Sequence, residues 1–284
     1  RHLTLLILLV LQRLLCLLLS SSTLLLAQQG DLKEKQQDLL SSLNWKRWSP
    51  EVVPLYTPEE SLSRIQVAPG FRVELVAHEP MIKDPVFVDW DDQGRMWVGE
   101  LRTYMMDLDG NGEGERLSRV MVLEDLDRDG VMDKATPFLE DMDNVRSLAF
   151  VDDSVLIVET GGLWLCRDND GDLRCDERKK LIDFATAASD NIEHAENALH
   201  FALDNWMYNS KSSRKLAWRK GNLIEMPAKA RGQWGMSSDA YGRLFYNHNG
   251  QWFETDWATY DRQWPAGGDS VKAPTNRVFG IRPN

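Results

Sequence analysis

Residues 86–100 read VFVDWDDQGRMWVGE: an alternating apolar run, a turn carrying Asp and Gly, and a second run of aromatic and β-branched residues. That pattern predicts two antiparallel strands joined by a tight turn. It returns at 147–160 (SLAFVDDSVLIVET), 198–210 (ALHFALDNWMYNS) and 235–248 (GMSSDAYGRLFYNH). Superposing Trp97, Ile157, Tyr208 and Phe245 spaces the repeats 60, 51 and 37 residues apart. Further strands fall between the pairs, SRVMVLE with KATPFLE and GLWLCR with RKKLIDF. Four strands per repeat at such spacing mark propeller blades. The expected fold is all-β, a partial β-propeller with about three full repeats and the start of a fourth, the chain stopping at NRVFGIRPN without a strand pattern. A small open sandwich is the alternative.

Ahead of the repeats the chain opens RHLTLLILLVLQRLLCLLLSSSTLLLAQQ. A basic start, an apolar run and a Ser cluster read as an export signal over residues 1–27, cleaved near Ala27. An uncleaved membrane anchor is the alternative, since Leu3 to Leu26 approaches the roughly 20 residues that span a bilayer. Arg13 at its middle would cost about 2.5–3.5 kcal/mol there. Residues 28–65, punctuated by Pro50, Pro54 and Pro58, read as a linker with a short helix over Leu32 to Leu43, leading into a propeller domain at 66–284. Localisation is expected to be periplasmic or secreted, with membrane association through the apolar segment if it is kept. The net charge of −11 argues against a nucleic-acid partner, which needs clustered Lys and Arg.

Two loops share one spacing: Asp125, Asp127, Asp129 and Asp133 in DLDRDGVMD, and Asp168, Asp170, Asp172 and Asp176 in DNDGDLRCD. Carboxylates at positions 1, 3, 5 and 9 around a Gly present several hard oxygens to one cation, as calcium requires. Thr136 and Lys179 stand where an EF-hand carries its bidentate Glu, and the flanks are strands, so these are not EF-hands. Asp107, Asp109, Asn111 and Glu115 form a weaker third set. Solvated acidic turns are the alternative for all three. Cys166 and Cys175 flank most of the second loop, either as a hairpin disulfide or as two buried thiols.

Propeller sites form where loops of successive blades converge, so the segments just before inner strands hold the candidate chemistry. DNIEHAEN supplies Asp190, Glu193, His194, Glu196 and Asn197, and KARGQW supplies Lys229, Arg231 and Gln233. A neutral His beside a carboxylate can accept a proton, and a facing cation can hold an anion. His200, alternating within its strand, reads as a packing residue.

From about Val67 onward the chain resembles the propeller domain of the membrane-bound dehydrogenases of planctomycetes and verrucomicrobia, in APGFRVELVAHEPMIKDPVFVDWDDQGRMWVGELRTY, VLEDLDRDGVMDKATPFLE, RDNDGD and LDNWMY. That family is similar in turn to the soluble quinoprotein glucose and sorbosone dehydrogenases, which are six-bladed, TolB-like propellers dependent on pyrroloquinoline quinone (PQQ). Glu193, His194, Leu199, Asp204 and Tyr208 match the pattern around their catalytic His, and Arg231, Gly235 and Gly242 that around their quinone-binding Arg. Glu100 and Arg102 match a strand ending in Glu-Arg. Glu193 stands in place of Asp, and Gly232 in place of an Asn after the Arg, which departs from quinone binding.

The resemblance implies an exported oxidoreductase acting on the CH–OH group of a sugar or other alcohol. His194 would be the base, Glu193 its orienting carboxylate, Arg231, Gln233 and Asn197 cofactor contacts, and a c-type cytochrome the electron acceptor. Two other readings are a non-catalytic, calcium-stabilised propeller that binds glycans or a protein, and a lactonase-like hydrolase with calcium held in the channel by Glu100 and Asn197.

Overall fold

Each repeat folds into a four-stranded antiparallel sheet with its strands in sequence order, the arrangement of a propeller blade. The structure is a computed structural model that describes residues 55–107, 109–184, 195–248, 251–256 and 275–277. Blade 1 comprises β1 (Pro85–Trp90), β2 (Met96–Glu100), β3 (Ser118–Glu124) and β4 (Lys134–Met142), and blade 2 comprises β5 (Ser147–Val151), β6 (Ser154–Glu159), β7 (Gly162–Arg167) and β8 (Glu177–Asp183). Blade 3 holds β9 (Asn197–Phe201), β10 (Met207–Ser210), β11 (Arg214–Arg219) and β12 (Asn222–Pro227), and blade 4 holds β13 (Ser237–Ser238), β14 (Leu244–His248), β15 (Gln251–Asp256) and β16 (Thr275–Arg277). The chain is thus four blades of a β-propeller. Trp97, Ile157, Tyr208 and Phe245 all fall on second strands, as their superposition requires. The fourth blade goes further than expected, because Thr275–Arg277 pairs with β15 as its outermost strand.

The turns between first and second strands explain the recurring Asp. Asp91, Asp204 and Asp239 each accept the backbone N–H two residues on, from Gln93, Trp206 and Tyr241, which closes the turn locally. Asp91 also takes the Trp97 indole N–H at 2.9 Å and Asp204 the Tyr208 hydroxyl at 2.8 Å. One acidic residue therefore pins both the turn and the aromatic anchor of the next strand.

Between blades the core is apolar. In β6, Val155 and Ile157 pack toward blade 1 with Trp97, Val120 and Phe138, while Leu156 and Val158 pack toward blade 3 with Leu199, Met207 and Leu216. A strand buried on both faces loses the alternation of a surface strand and reads as a continuous apolar run. Each such side chain contributes about 1.5–3 kcal/mol by leaving water. Trp97 meets Phe138 and Phe150 edge-on at 4.7 and 5.3 Å. Blades 3 and 4 meet through Ala202, Tyr208, Leu244 and Tyr246.

Gly162, which opens β7, shows how closely the outer strands approach. A Cβ there would lie 2.6 Å from the Ile182 carbonyl oxygen of β8. Because the obstacle is backbone, Gly162→Ala is expected to cost about 1–3 kcal/mol, as overpacking does. Chemical denaturation with an unchanged midpoint would contradict that.

The chain divides into two units, residues up to Phe71 with Met105–Glu113, and Arg72–Tyr104 with Gly114 onward. The described part of the first contains α1 (Pro58–Arg64), inside the stretch expected to be linker. Thr57 and Glu60 form a reciprocal capping box around Pro58, which lets seven residues hold a helix without burial. The segment 1–27 and the helix expected over Leu32 to Leu43 lie outside the described residues. Among the described residues no helix is long and apolar enough to cross a membrane.

Candidate functional site

First strands run away from one end of the blades and second strands return to it. Buried polar side chains gather at that end: Glu100, Asn144, Arg146, Glu159, Asn197 and Asn209 are all nearly inaccessible. A cavity of about 570 Å³ is lined by β1, β5, β9 and the segment ahead of β13. Its walls include Phe87, Phe150 and His200, with Arg146, Asn197 and Trp234 at the polar end.

Within each blade the buried acids are paired. Glu100, 0% exposed, accepts the Lys83 N–H at 2.8 Å and the Arg119 Nε–H at 2.5 Å, with Arg102 at 3.8 Å. It is absent from the cavity lining, whereas Asn197 is part of it. Glu159 meets Arg178 and accepts the Asp143 N–H at 3.1 Å, and Glu196 meets Arg214 at 3.1 Å. Burial pushes Glu159 and Glu196 above the usual carboxylate range, against the pull of those arginines.

His194 and Glu193 lie outside the described residues, which resume at Ala195. Asn197, two residues later, is a junction. Its amide nitrogen donates to the carbonyls of Ala195 (3.1 Å) and Gln233 (2.8 Å), and its oxygen accepts the Gly235 N–H at 2.9 Å. Gln233 is buried, its own N–H bonded to Asn247 O at 2.8 Å. Arg231, 2% exposed, donates through Nε to Asp256 at 2.6 Å and through Nη1 to Lys229 O at 2.9 Å, and its guanidinium lies 5.1 Å from the Tyr208 ring. Tyr246 donates to the other Asp256 oxygen at 3.0 Å. These three expected cofactor contacts form one brace between blades 3 and 4. Of the three, only Asn197 lines the cavity. Gly232 has φ +60, and a Cβ there would lie 2.9 Å from Ser210 Oγ and 3.0 Å from Tyr246 Cβ, so packing of the brace explains why no Asn follows the Arg.

Arg146, ahead of β5, was not singled out by the sequence. It is 3% exposed, lies 5.5 Å over the Trp234 ring, and donates through Nη2 to Thr160 Oγ1 at 3.4 Å. Its Nε and Nη1, and the hydroxyl of Ser147, are buried with no partner among the described residues. Burial lowers the guanidinium to about 10, against the supporting charge of Asp143, and it remains a cation at neutral pH. His200 is also a wall of the cavity rather than packing alone: its Nε2 lies 3.0 Å from Ser238 Oγ on the next blade. Burial keeps its pKa below the ordinary imidazole value despite Asp89.

At the opposite end lie the acidic turns. Carboxylate oxygens of Asp125, Asp127 and Asp133 come within 4.8 Å of one another, as do those of Asp168, Asp170 and Asp176. Asp129 and Asp172 instead accept the N–H groups of Val131 and Arg174. Slight burial works against Asp168, but the N–H groups of Gly171, Leu173, Asp170 and Asp172 hold it below the usual range. In the third set Asp107 is taken up by the side chain and N–H of Asn111. Cys166 and Cys175 are free thiols, and a hydrogen bond from the Cys166 thiol holds Cys175 below the ordinary thiol value.

A family model described as a domain of unknown function (DUF7133) matches residues 57–279. No curated protein matches. Among solved structures the chain is similar to the holo form of the pyranose dehydrogenase PQQ domain from Coprinopsis cinerea, at 13% identity over 67% of this chain and 47% of that one, with a TM-score of 0.42. It is also similar to a gluconolactonase from Xanthomonas campestris, at 15% identity over 61% and 57% of the two chains, with a TM-score of 0.40. The chain spans about half the length of these structures.

Proposed function

The chain belongs to the DUF7133 family, a premise that carries no activity with it, and from the site itself we propose an exported propeller oxidoreductase that oxidises a CH–OH group of a sugar or other alcohol. One observation supports this reading above the others. The end of the blades where the chain resumes after His194 is the end that concentrates buried polar side chains around a cavity. In the proposed chemistry His194 takes the hydroxyl proton as the carbon is oxidised, and Glu193 orients the imidazole.

PQQ, when bound, supplies the two-electron acceptor, a c-type cytochrome taking the electrons onward. The residues fit a carboxylated cofactor in one respect: the polar end of the cavity holds a cation, Arg146, with unpartnered donors. Asn197, a wall of the cavity, is the cofactor contact of the proposal, while Arg231 and Gln233, away from the lining, position the segment that carries Trp234 and Gly235. Calcium at Asp125, Asp127 and Asp133 and at Asp168, Asp170 and Asp176 is proposed as structural, since three carboxylates converge in each turn and oxygen ligands of this kind suit it.

The test is dye reduction by the full-length protein with PQQ, calcium and a panel of aldoses. Wild type is expected to reduce dye only with the quinone present, and His194→Ala to lose about a hundredfold in rate, the low end for a general base. Activity that ignores PQQ, or survives the substitution, removes the reading. The commitment of Arg231 to Asp256 favours a second one, a calcium-stabilised propeller that binds glycans without turnover. Saturable aldose binding with no dye reduction would select it.

A further inference from the structure

We infer that Arg146, with Ser147 and Trp234, is a carboxylate-binding subsite at the polar end of the central cavity. The inference rests on the reading above only in taking this cavity as the ligand site, and it holds whatever reaction occurs there.

Buried polar groups in native proteins are partnered almost without exception, and each orphan calls for a physical reason. Here three orphan donors are adjacent in sequence and line one cavity: Arg146 Nε, Arg146 Nη1 and Ser147 Oγ. Among the described residues the other buried arginine, Arg231, has a carboxylate partner, and so do the partly buried Arg119 and Arg178, although Arg178 Nε is itself unpartnered. Arg119 has Glu100, Arg178 has Glu159, and Arg231 has Asp256. Arg146 feels Asp143 only through space and makes one long bond, to Thr160. Leaving a guanidinium dehydrated in this way costs stability, and a ligand that completes its bonds recovers that cost on binding.

The geometry of the donors selects the ligand. A guanidinium is planar and presents parallel N–H groups that match the two oxygens of a carboxylate. The hydroxyl of Ser147 offers a further donor on the adjoining residue. The aromatic rings of Trp234, Phe87 and Phe150 form apolar walls against which a flat ring or the C–H face of a pyranose can rest. A volume of about 570 Å³ admits a small carboxylated molecule and excludes a polymer from lying wholly inside. Two ligands share this chemistry, the carboxylates of a quinone cofactor and an acidic sugar.

Calorimetric titration of the full-length protein with PQQ, and with glucuronate against glucose, distinguishes them. At least one carboxylate is expected to bind. If glucuronate is the ligand, glucose binds at least about tenfold more weakly, the loss of one charge-assisted contact. Arg146→Met is expected to weaken that carboxylate about a hundredfold while melting at or above the wild-type temperature without ligand, because the unpartnered charge has been removed. Arg146→Lys, which keeps charge but not the planar fork, should fall between. Binding of the quinone alone assigns the subsite to the cofactor, and binding of glucuronate alone assigns it to an acidic substrate.

No binding of either probe overturns the inference, as does undiminished binding to Arg146→Met. So does loss of folding in both variants, which would make the guanidinium structural. His194→Ala protein that still binds the carboxylate but reduces no dye bears only on the catalytic base. Wild-type protein that turns over substrate yet binds no carboxylate through Arg146 sinks this inference alone.

Discussion

Asp256→Ala is expected to destabilise the protein by about 3–5 kcal/mol, the cost of breaking a buried ion pair from one side. Asp256 and Arg231 are each 2% exposed, and the Asp256 oxygens are divided between Arg231 Nε at 2.6 Å and the Tyr246 hydroxyl at 3.0 Å. Removing the carboxylate strands a guanidinium between blades 3 and 4, where water cannot reach it. It also strands the Tyr246 hydroxyl. With a slope of about 2–3 kcal/mol per molar urea for a chain of this size, the denaturation midpoint should drop by about 1–2 M. The double variant Asp256→Ala with Arg231→Met removes both charges and should recover much of the loss. A shift under about 0.5 M in the single variant would mean that the pair is hydrated and braces nothing.

The brace shows which parts of this molecule were legible in the sequence. The four-strand repeat was, because strand alternation and Asp-containing turns are local: Asp91 closes its turn with Gln93 and anchors Trp97 six residues on. Position relative to an inner strand was legible too, and it singled out Arg231, Gln233 and Asn197, which the structure does bring together. Whether Arg231 is a free cation was not legible, since its partner Asp256 lies 25 residues away on another strand. The rule that drew attention to DNIEHAEN and KARGQW applies equally to DMDNVR, ahead of β5, and there it would have found Arg146. Nothing in the residues themselves says that Arg146 lacks a carboxylate, which depends on the packing of four blades. The capping box of α1 was local and readable as Thr57, Pro58 and Glu60. The last strand, Thr275–Arg277, was not, being three polar residues whose strand character comes from pairing with β15.

The acidic turns lead to the second large effect. Chelation is expected to lower the melting temperature by on the order of 10–20 °C, at 2–4 °C per kcal/mol for 150–250 residues. In each turn three carboxylates converge within 4.8 Å, and each pair repels by about 0.9 kcal/mol even in water. The turns are already ordered by backbone donors: Arg128 and Gly130 N–H groups serve Asp125 at 2.7 and 2.9 Å, and Gly171 and Leu173 serve Asp168 at 2.7 and 2.9 Å. Those bonds fix the carboxylates in place without neutralising them, so an ion bound as proposed would find a preformed site at little cost in ordering entropy. At calcium a hundred times its dissociation constant each site adds about 2.7 kcal/mol, hence about 5 kcal/mol for the two together. Asp125→Asn should abolish one site and about halve the response to chelator, and Asp168→Asn the other, with the double variant indifferent to calcium. Because Asp133 and Asp176 accept the N–H groups of Leu126 and Asn169 at 2.7 Å, an ion bound as proposed would also clasp the two ends of its turn, and its loss should first loosen the outer strands β4 and β8. Hydrogen exchange that rises there before it rises in β6 would locate the effect, whereas melting unchanged by chelator would leave these turns as solvated acidic loops.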